Sequence, residues 1–151
     1  MADVHSKESR RKNMAAIKGK DTKPELLIRK GLHHLGFRYR LHDKKLLGKP
    51  DLVFPKYRAV IFVNGCFWHK HDCHLFKQPA TRKEFWESKI NRTCERDREN
   101  RVALREAGWR VLTIWECSLK GKTRLQDSEL LERVSSWIAG ELSEMEIRGE
   151  G

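Results

Sequence analysis

At 151 residues the chain is one domain's worth of polypeptide, long enough to build a core without disulfide staples. Its 32 Lys and Arg against 21 Asp and Glu leave a net charge of +11, which favours a polyanionic partner, nucleic acid before an anionic membrane, and its five Trp and six Phe exclude a wholly disordered polymer. No apolar run approaches the roughly 18 residues of a spanning helix, and residues 1–20 lack the apolar stretch of a secretory signal, so a cytoplasmic protein with no membrane contact and reduced thiols is expected.

Residues 1–20 form a basic, polar arm with a helix-compatible stretch over 7–17. It reads either as a frayed tail or as an arm that orders on nucleic acid. The next 122 or so residues, 21–142, read as the folded domain. A helix begins near Asp21 or Thr22, with Pro24 and Glu25 in its first turn, carries a partial apolar stripe (Leu27, Ile28, Leu32, Leu35) and ends at Gly36. Residues 37–41 read as a strand, Gly48-Lys49-Pro50 as a turn and 51–54 as a second strand broken by Pro55. The nearly continuous apolar run over 58–63 has the character of a buried central strand.

Residues 65–76 hold three His, two Cys and three aromatics in neither helical nor strand periodicity. A long charged helix is expected over 82–107, stopped by Gly108, then a strand over 109–115 and an amphipathic helix over 130–142. Residues 143–151 read as a tail. Helix, strands, helix, strand, helix predicts an α/β fold, a mixed central sheet with helices packed on it.

Two groups of side chains carry chemistry. Cys66, His71 and Cys73 lie within eight residues, and Cys117 sits just past a predicted strand. A Cys3His set suits tetrahedral zinc, which would give a short loop the anchor it otherwise lacks. His69, His74 and Cys94 are rival ligands, and free thiols beside surface histidines are the bland alternative. The second group centres on Asp51, which opens a strand after Pro50. A carboxylate there can hold a divalent ion near a phosphate, with Glu25 a second acid and His69 a proton donor or acceptor. Taken singly, Asp51 could be a turn residue, Glu25 a helix-start acid and His69 a spare ligand.

The run Val60-Ile61-Phe62-Val63-Asn64-Gly65-Cys66-Phe67-Trp68-His69 resembles the very short patch repair endonucleases. Gly48-Lys49-Pro50-Asp51 precedes it, and Trp109-Arg110-Val111-Leu112 and Trp115-Glu116-Cys117 follow. Arg11-Lys12-Asn13-Met14, Pro79-Ala80-Thr81-Arg82 and Phe85-Trp86 extend the likeness over roughly residues 1 to 140.

The resemblance implies a restriction-endonuclease-like core with a structural zinc site, and magnesium-dependent nicking 5′ to the T of a T:G mismatch left when 5-methylcytosine deaminates. It implies Asp51 as principal magnesium ligand with the backbone carbonyl of Val63, His69 as general acid or base, and Glu25 as an assisting acid. Cys66, His71, Cys73 and Cys117 would hold zinc. Phe67 and Trp68 would wedge into the base stack with Met14 assisting, while Arg11, Lys12 and Trp86 would contact DNA. A monomer suits an asymmetric mismatch. A cytosine methyltransferase and repair proteins in a bacterial cytoplasm are the implied functional partners.

One position departs from the family. Its usual histidine before Gly-Cys-Phe-Trp is Asn64 here, at a catalytic place where an amide can hold water or phosphate but cannot shuttle a proton. Two alternatives stand beside mismatch nicking: a sequence-specific restriction-type endonuclease on the same scaffold, and, because of Asn64, a DNA-binding module with weakened catalysis.

Overall fold

The apolar run at the centre of the chain becomes the middle strand of a five-stranded mixed sheet. The computed structural model describes residues 23–150. The strands are β1 (Arg40–Leu41), β2 (Leu52–Phe54), β3 (Ala59–Asn64), β4 (Arg110–Trp115) and β5 (Glu144–Ile147), and they lie side by side in that order. β1, β2 and β3 are antiparallel neighbours, whereas β3–β4 and β4–β5 are parallel. Among the described residues three α-helices flank the sheet: α1 (Lys23–His34), α2 (Lys83–Glu106) and α3 (Asp127–Ala139). Among the described residues no helix is long and apolar enough to cross a membrane. The basic arm over 1–20, with Arg11, Lys12 and Met14, lies outside the described residues.

Strand periodicity sorts the core into two layers, because successive side chains point to opposite faces. Ala59 and Ile61 of β3 with Leu112 and Ile114 of β4 pack against Ile28 and Leu32 of α1 and Leu130, Val134, Trp137 and Ile138 of α3. Val60 and Val111 face the other way, against Val53 and Leu104 of α2. Burial on both faces explains why β3 and β4 read as continuous apolar runs. The long α2 is charged nearly all round because only Ile90 and Leu104 are buried along it.

Two expectations shift. The strand expected over 37–41 shortens to Arg40–Leu41, since Phe37 and Tyr39 turn their rings onto Phe54 in the core. Residues 143–151, read as a tail, instead supply β5, whose Ile147 is buried while Glu144 and Glu146 are exposed. That alternation is the mark of a half-buried edge strand.

The parallel register decides what meets at one end of the sheet. Asn64 at the end of β3 stands opposite Trp115 at the end of β4, so the loops after both strands leave together. β2 runs the other way, which brings the residue before it, Asp51, to the same end. If β5 is integral to the core, Ile147→Ala should cost about 2–4 kcal/mol in urea unfolding, whereas Leu142→Ala, at an exposed position, should cost under about 0.5 kcal/mol.

Candidate active site and metal centre

Asp51 is held where two strands begin to diverge. Its Oδ2 accepts a hydrogen bond of 2.6 Å from the Val63 N–H. Glu25 reaches the same spot from α1 and is almost wholly buried. Between them stands His42, just past β1, with Nε2 3.1 Å from Glu25 Oε1 and Nδ1 3.7 Å from Asp51 Oδ1. The ligating atoms of Glu25, His42 and Asp51 all lie within 4.8 Å of one another, close enough to hold one metal ion.

Burial, reinforced by the neighbouring Glu25 and opposed by the hydrogen bond from the Val63 N–H, pushes the Asp51 carboxyl up to about 7. Two acids crowded out of water are costly to ionise together, and a divalent cation relieves that cost. The donor set therefore fits a hard or borderline cation.

His69 lies across the same end of the sheet. Its Nδ1 pairs with Asp97 Oδ2 on α2, and its backbone carbonyl accepts from the Cys94 thiol at 3.3 Å. A carboxylate on Nδ1 fixes the ring's orientation and tautomer and leaves Nε2 for proton transfer. Asn64, beside these groups at the end of β3, is buried. Val63 turns its N–H to Asp51, so both residues expected to act at the cation are joined by a hydrogen bond.

The loop after β3 folds round a second cluster. Cys66, His71, Cys73 and Cys117 bring their ligating atoms within 4.8 Å of one another. His71 Nδ1 lies 3.6 Å from both Cys66 Sγ and Cys117 Sγ. Burial and neighbouring thiols push Cys66 and Cys117 up, and burial pushes the His71 imidazole down. Three thiolates so close need a cation to coexist, and a neutral imidazole keeps its lone pair for one. The donor chemistry fits a tetrahedral thiophilic ion. Of the rival ligands, His69 is engaged with Asp97, Cys94 with a carbonyl, and His74 lies outside the cluster.

Trp115 braces this centre. Its ring stacks on His71 at 4.1 Å between centroids and 11° between planes, and its Nε1 donates to Glu146 on β5 at 3.1 Å. The closing residues grip the loop in two further places. Arg148 Nη2 donates to the Asp72 carbonyl at 2.7 Å, and the Gly149 N–H donates to Cys117 Sγ at 3.2 Å.

Phe67 and Trp68 lie between the ligands in sequence and join an aromatic surface with Phe76, Phe85 and Trp86. Phe67 stacks on Phe76 at 6.0 Å and meets Trp68 and Trp86 edge-on. Phe67 is half-buried, whereas Trp68 and Phe85 are exposed. The Lys89 ammonium sits 5.5 Å from the Trp68 ring centre and 5.8 Å from that of Trp86. Cation and flat rings share one patch, as nucleic-acid stacking platforms do.

Sequence reasoning missed His42 and Asp97. A loop histidine seventeen residues from Glu25 and a single Asp on a helix crowded with charges carry no local signal; only the fold brings them to the site.

Comparison with known proteins agrees with this geometry. Residues 2–75 match the family model described as DNA mismatch endonuclease Vsr. The chain is 50% identical over 151 residues to the DNA mismatch endonuclease Vsr of Escherichia coli strain K12, covering 100% of this chain and 97% of that protein. It is 45% identical over 122 residues to the type II nicking enzyme V.NmeAIP of Neisseria meningitidis, covering 81% of this chain and 87% of the relative. It is also 45% identical over 119 residues to the type II nicking enzyme V.XorIIP of Xanthomonas oryzae pv. oryzae, covering 79% and 88% respectively. With a carboxylate centre, a Cys3His cluster and near-complete alignment at half identity, the chain belongs to the Vsr family of DNA mismatch endonucleases.

Proposed function

We propose that this protein is a magnesium-dependent endonuclease that nicks one strand of duplex DNA 5′ to the T of a T:G mismatch, in a restriction-endonuclease-like core stabilised by zinc. The observation that carries the reading is the half-buried Asp51 carboxylate, which accepts from the Val63 N–H and clusters with Glu25 and His42, with His69, paired to Asp97, on the loop that follows the same strand as Val63. It stands in a chain half identical, end to end, to a mismatch endonuclease.

Asp51 and Glu25 would hold magnesium with the carbonyl of Val63, and the ion would neutralise charge on the scissile phosphate and acidify a water. Asp97 keeps the His69 ring aimed, so that Nε2 takes a proton from the attacking water or gives one to the departing oxygen. Asn64 orients water or phosphate by hydrogen bonds and leaves proton transfer to His69. Cys66, His71, Cys73 and Cys117 hold zinc and so fix the loop that carries His69. Trp68 and Phe67 stack against bases at the mismatch with Met14, Trp86 lines the same surface, and the basic arm with Arg11 and Lys12 grips phosphate. A G:T wobble is cheaper to open than a matched pair. The protein acts as a monomer in the cytoplasm, in step with a cytosine methyltransferase and repair proteins.

The nicking activity in the relatives' names favours single-strand cleavage over the double-strand cutting of a restriction enzyme. Asn64 keeps a second reading, recognition with weakened turnover, open to the same assay.

A strand-resolved assay on duplexes differing only by T:G or C:G should give magnesium-dependent nicking beside the mismatched T alone. Asp51→Asn should lower the rate by at least about a hundredfold with DNA binding retained. Mismatch binding without any nick would favour the second reading, and equal cutting of C:G duplex would favour the restriction enzyme.

Titration gives a signed test. A cation must displace the Asp51 proton, so magnesium affinity should climb about tenfold per pH unit below about 7 and level off above it. Without metal the folded state keeps a proton that the unfolded chain releases near pH 4. Stability should therefore be greatest on the acid side and fall as pH rises towards about 7, a slope that Asp51→Asn removes in thermal melts.

Elemental analysis should find one zinc per chain. Cys73→Ser, or chelation, should lower the melting temperature and nicking together, because the loop that carries His69 loses its anchor.

A further inference from the structure

His42 is the one member of the carboxylate cluster with no role in that mechanism. Three separate elements bring the group together: Glu25 comes from α1, His42 from the end of β1 and Asp51 from the start of β2. The placement of His42 is fixed from both sides. Its backbone N–H donates to the Asp51 carbonyl at 3.1 Å, and its φ is +47°, a left-handed conformation uncommon outside Gly that His takes more readily than most residues.

The ring is not spent on hydrogen bonding in the usual way. Its Nε2 is closed off from solvent and makes no hydrogen bond among the described residues, although Glu25 Oε1 stands 3.1 Å away. An octahedral ion with bonds of about 2.1 Å sets neighbouring donors about 3.0 Å apart. The imidazole and carboxylate oxygen already stand at the separation that a shared cation would give them.

We propose that His42 supplies a ring nitrogen to the divalent ion held by Glu25 and Asp51, so that the centre is a mixed nitrogen–oxygen site that works with magnesium and binds manganese more tightly. The proposal rests on the reading of Asp51 as a metal ligand. Magnesium prefers oxygen and parts reluctantly with its water, whereas first-row transition ions gain from imidazole. A nitrogen donor therefore sets the choice between ions as well as the strength of binding. The Cys3His cluster does not compete for the probe, because its three thiolates select softer ions than manganese.

The test uses the full-length, zinc-loaded protein with Mn2+ and Mg2+ as probes, followed by calorimetry and by electron spin-echo spectroscopy of bound Mn2+, which detects directly coordinated nitrogen. The expected result is Mn2+ bound at least about tenfold more tightly than Mg2+, with a nitrogen coupling. In His42→Gln the coupling disappears and Mn2+ affinity falls about tenfold or more, while Mg2+ affinity moves less than about threefold. His42→Ala repeats the result with the side chain removed, and a thermal melt confirms that each variant is folded. If Mn2+ binds, Asp51→Asn abolishes its binding, and no nitrogen coupling is present in the parent protein, His42 merely bridges two acids and the proposal is overturned while the Asp51 reading stands. If Mn2+ binding is indifferent to Asp51→Asn, both fail.

Discussion

The in-register parallel pairing of β3 with β4 is the constraint on which the rest depends. Parallel strands end at the same side of a sheet, and here Asn64 and Trp115 end opposite one another. The loop after β3 and the turn after β4 therefore leave together, and Cys66 and Cys117, far apart in sequence, come within reach of one ion. Reversing β2 against β3 adds Asp51 to that end. A parallel pair needs a crossover, and the crossover is put to use: α2, which closes it, carries Asp97 to His69. Chemistry thus gathers at one rim while the buried faces are left to apolar packing.

The two polar centres do different physical work. The thiol cluster holds a loop that has little apolar burial of its own, and Trp115 transmits its order by stacking on His71 and lying 6.2 Å, edge-on, from His69. The carboxylate centre is assembled against the cost of crowding two acids, offset in part by the Val63 N–H. Its burial works against ionisation, and the resulting strain is what makes it receptive to a cation. A structural centre near one whose acids are costly to ionise is a reasonable division for a nuclease, since crowded acids keep their places only if their supports are rigid.

Much of the fold was legible because burial imposes period. β3 and β4, buried on both faces, read as apolar runs, and α2 announced itself by length and by its stop at Gly108, which takes a φ of +92°. β5 was hidden by its composition: two Glu in four residues look like a solvated tail until Met145 and Ile147 are seen to alternate with them. At the site, spacing alone suggested the Cys3His set, because a compact loop brings three ligands together whatever the fold. Residue type and place suggested Asp51 and Glu25 as cation-binding acids and His69 as a proton-transfer group, each with an ordinary structural alternative, and the resemblance of the surrounding motifs chose between them. His42 and Asp97 were invisible to both, since each meets its partner only through tertiary structure. Whether an imidazole beside Asp51 and an amide at Asn64 together rebalance the site is a property of this chain and not of the motif.

The grip of the closing residues on the thiol loop has a consequence for how the protein comes into being. The first and last thiols of the cluster are separated by the whole of α2 and β4, and the strand whose Glu146 anchors Trp115 follows later still. Contacts so distant in sequence form late, because loop closure must precede the energy that rewards it. During synthesis α1 to β3 emerge well before the loop after β3 can be ordered. The thiol loop therefore gains its full set of contacts only once residues 146–149 are in place beside it.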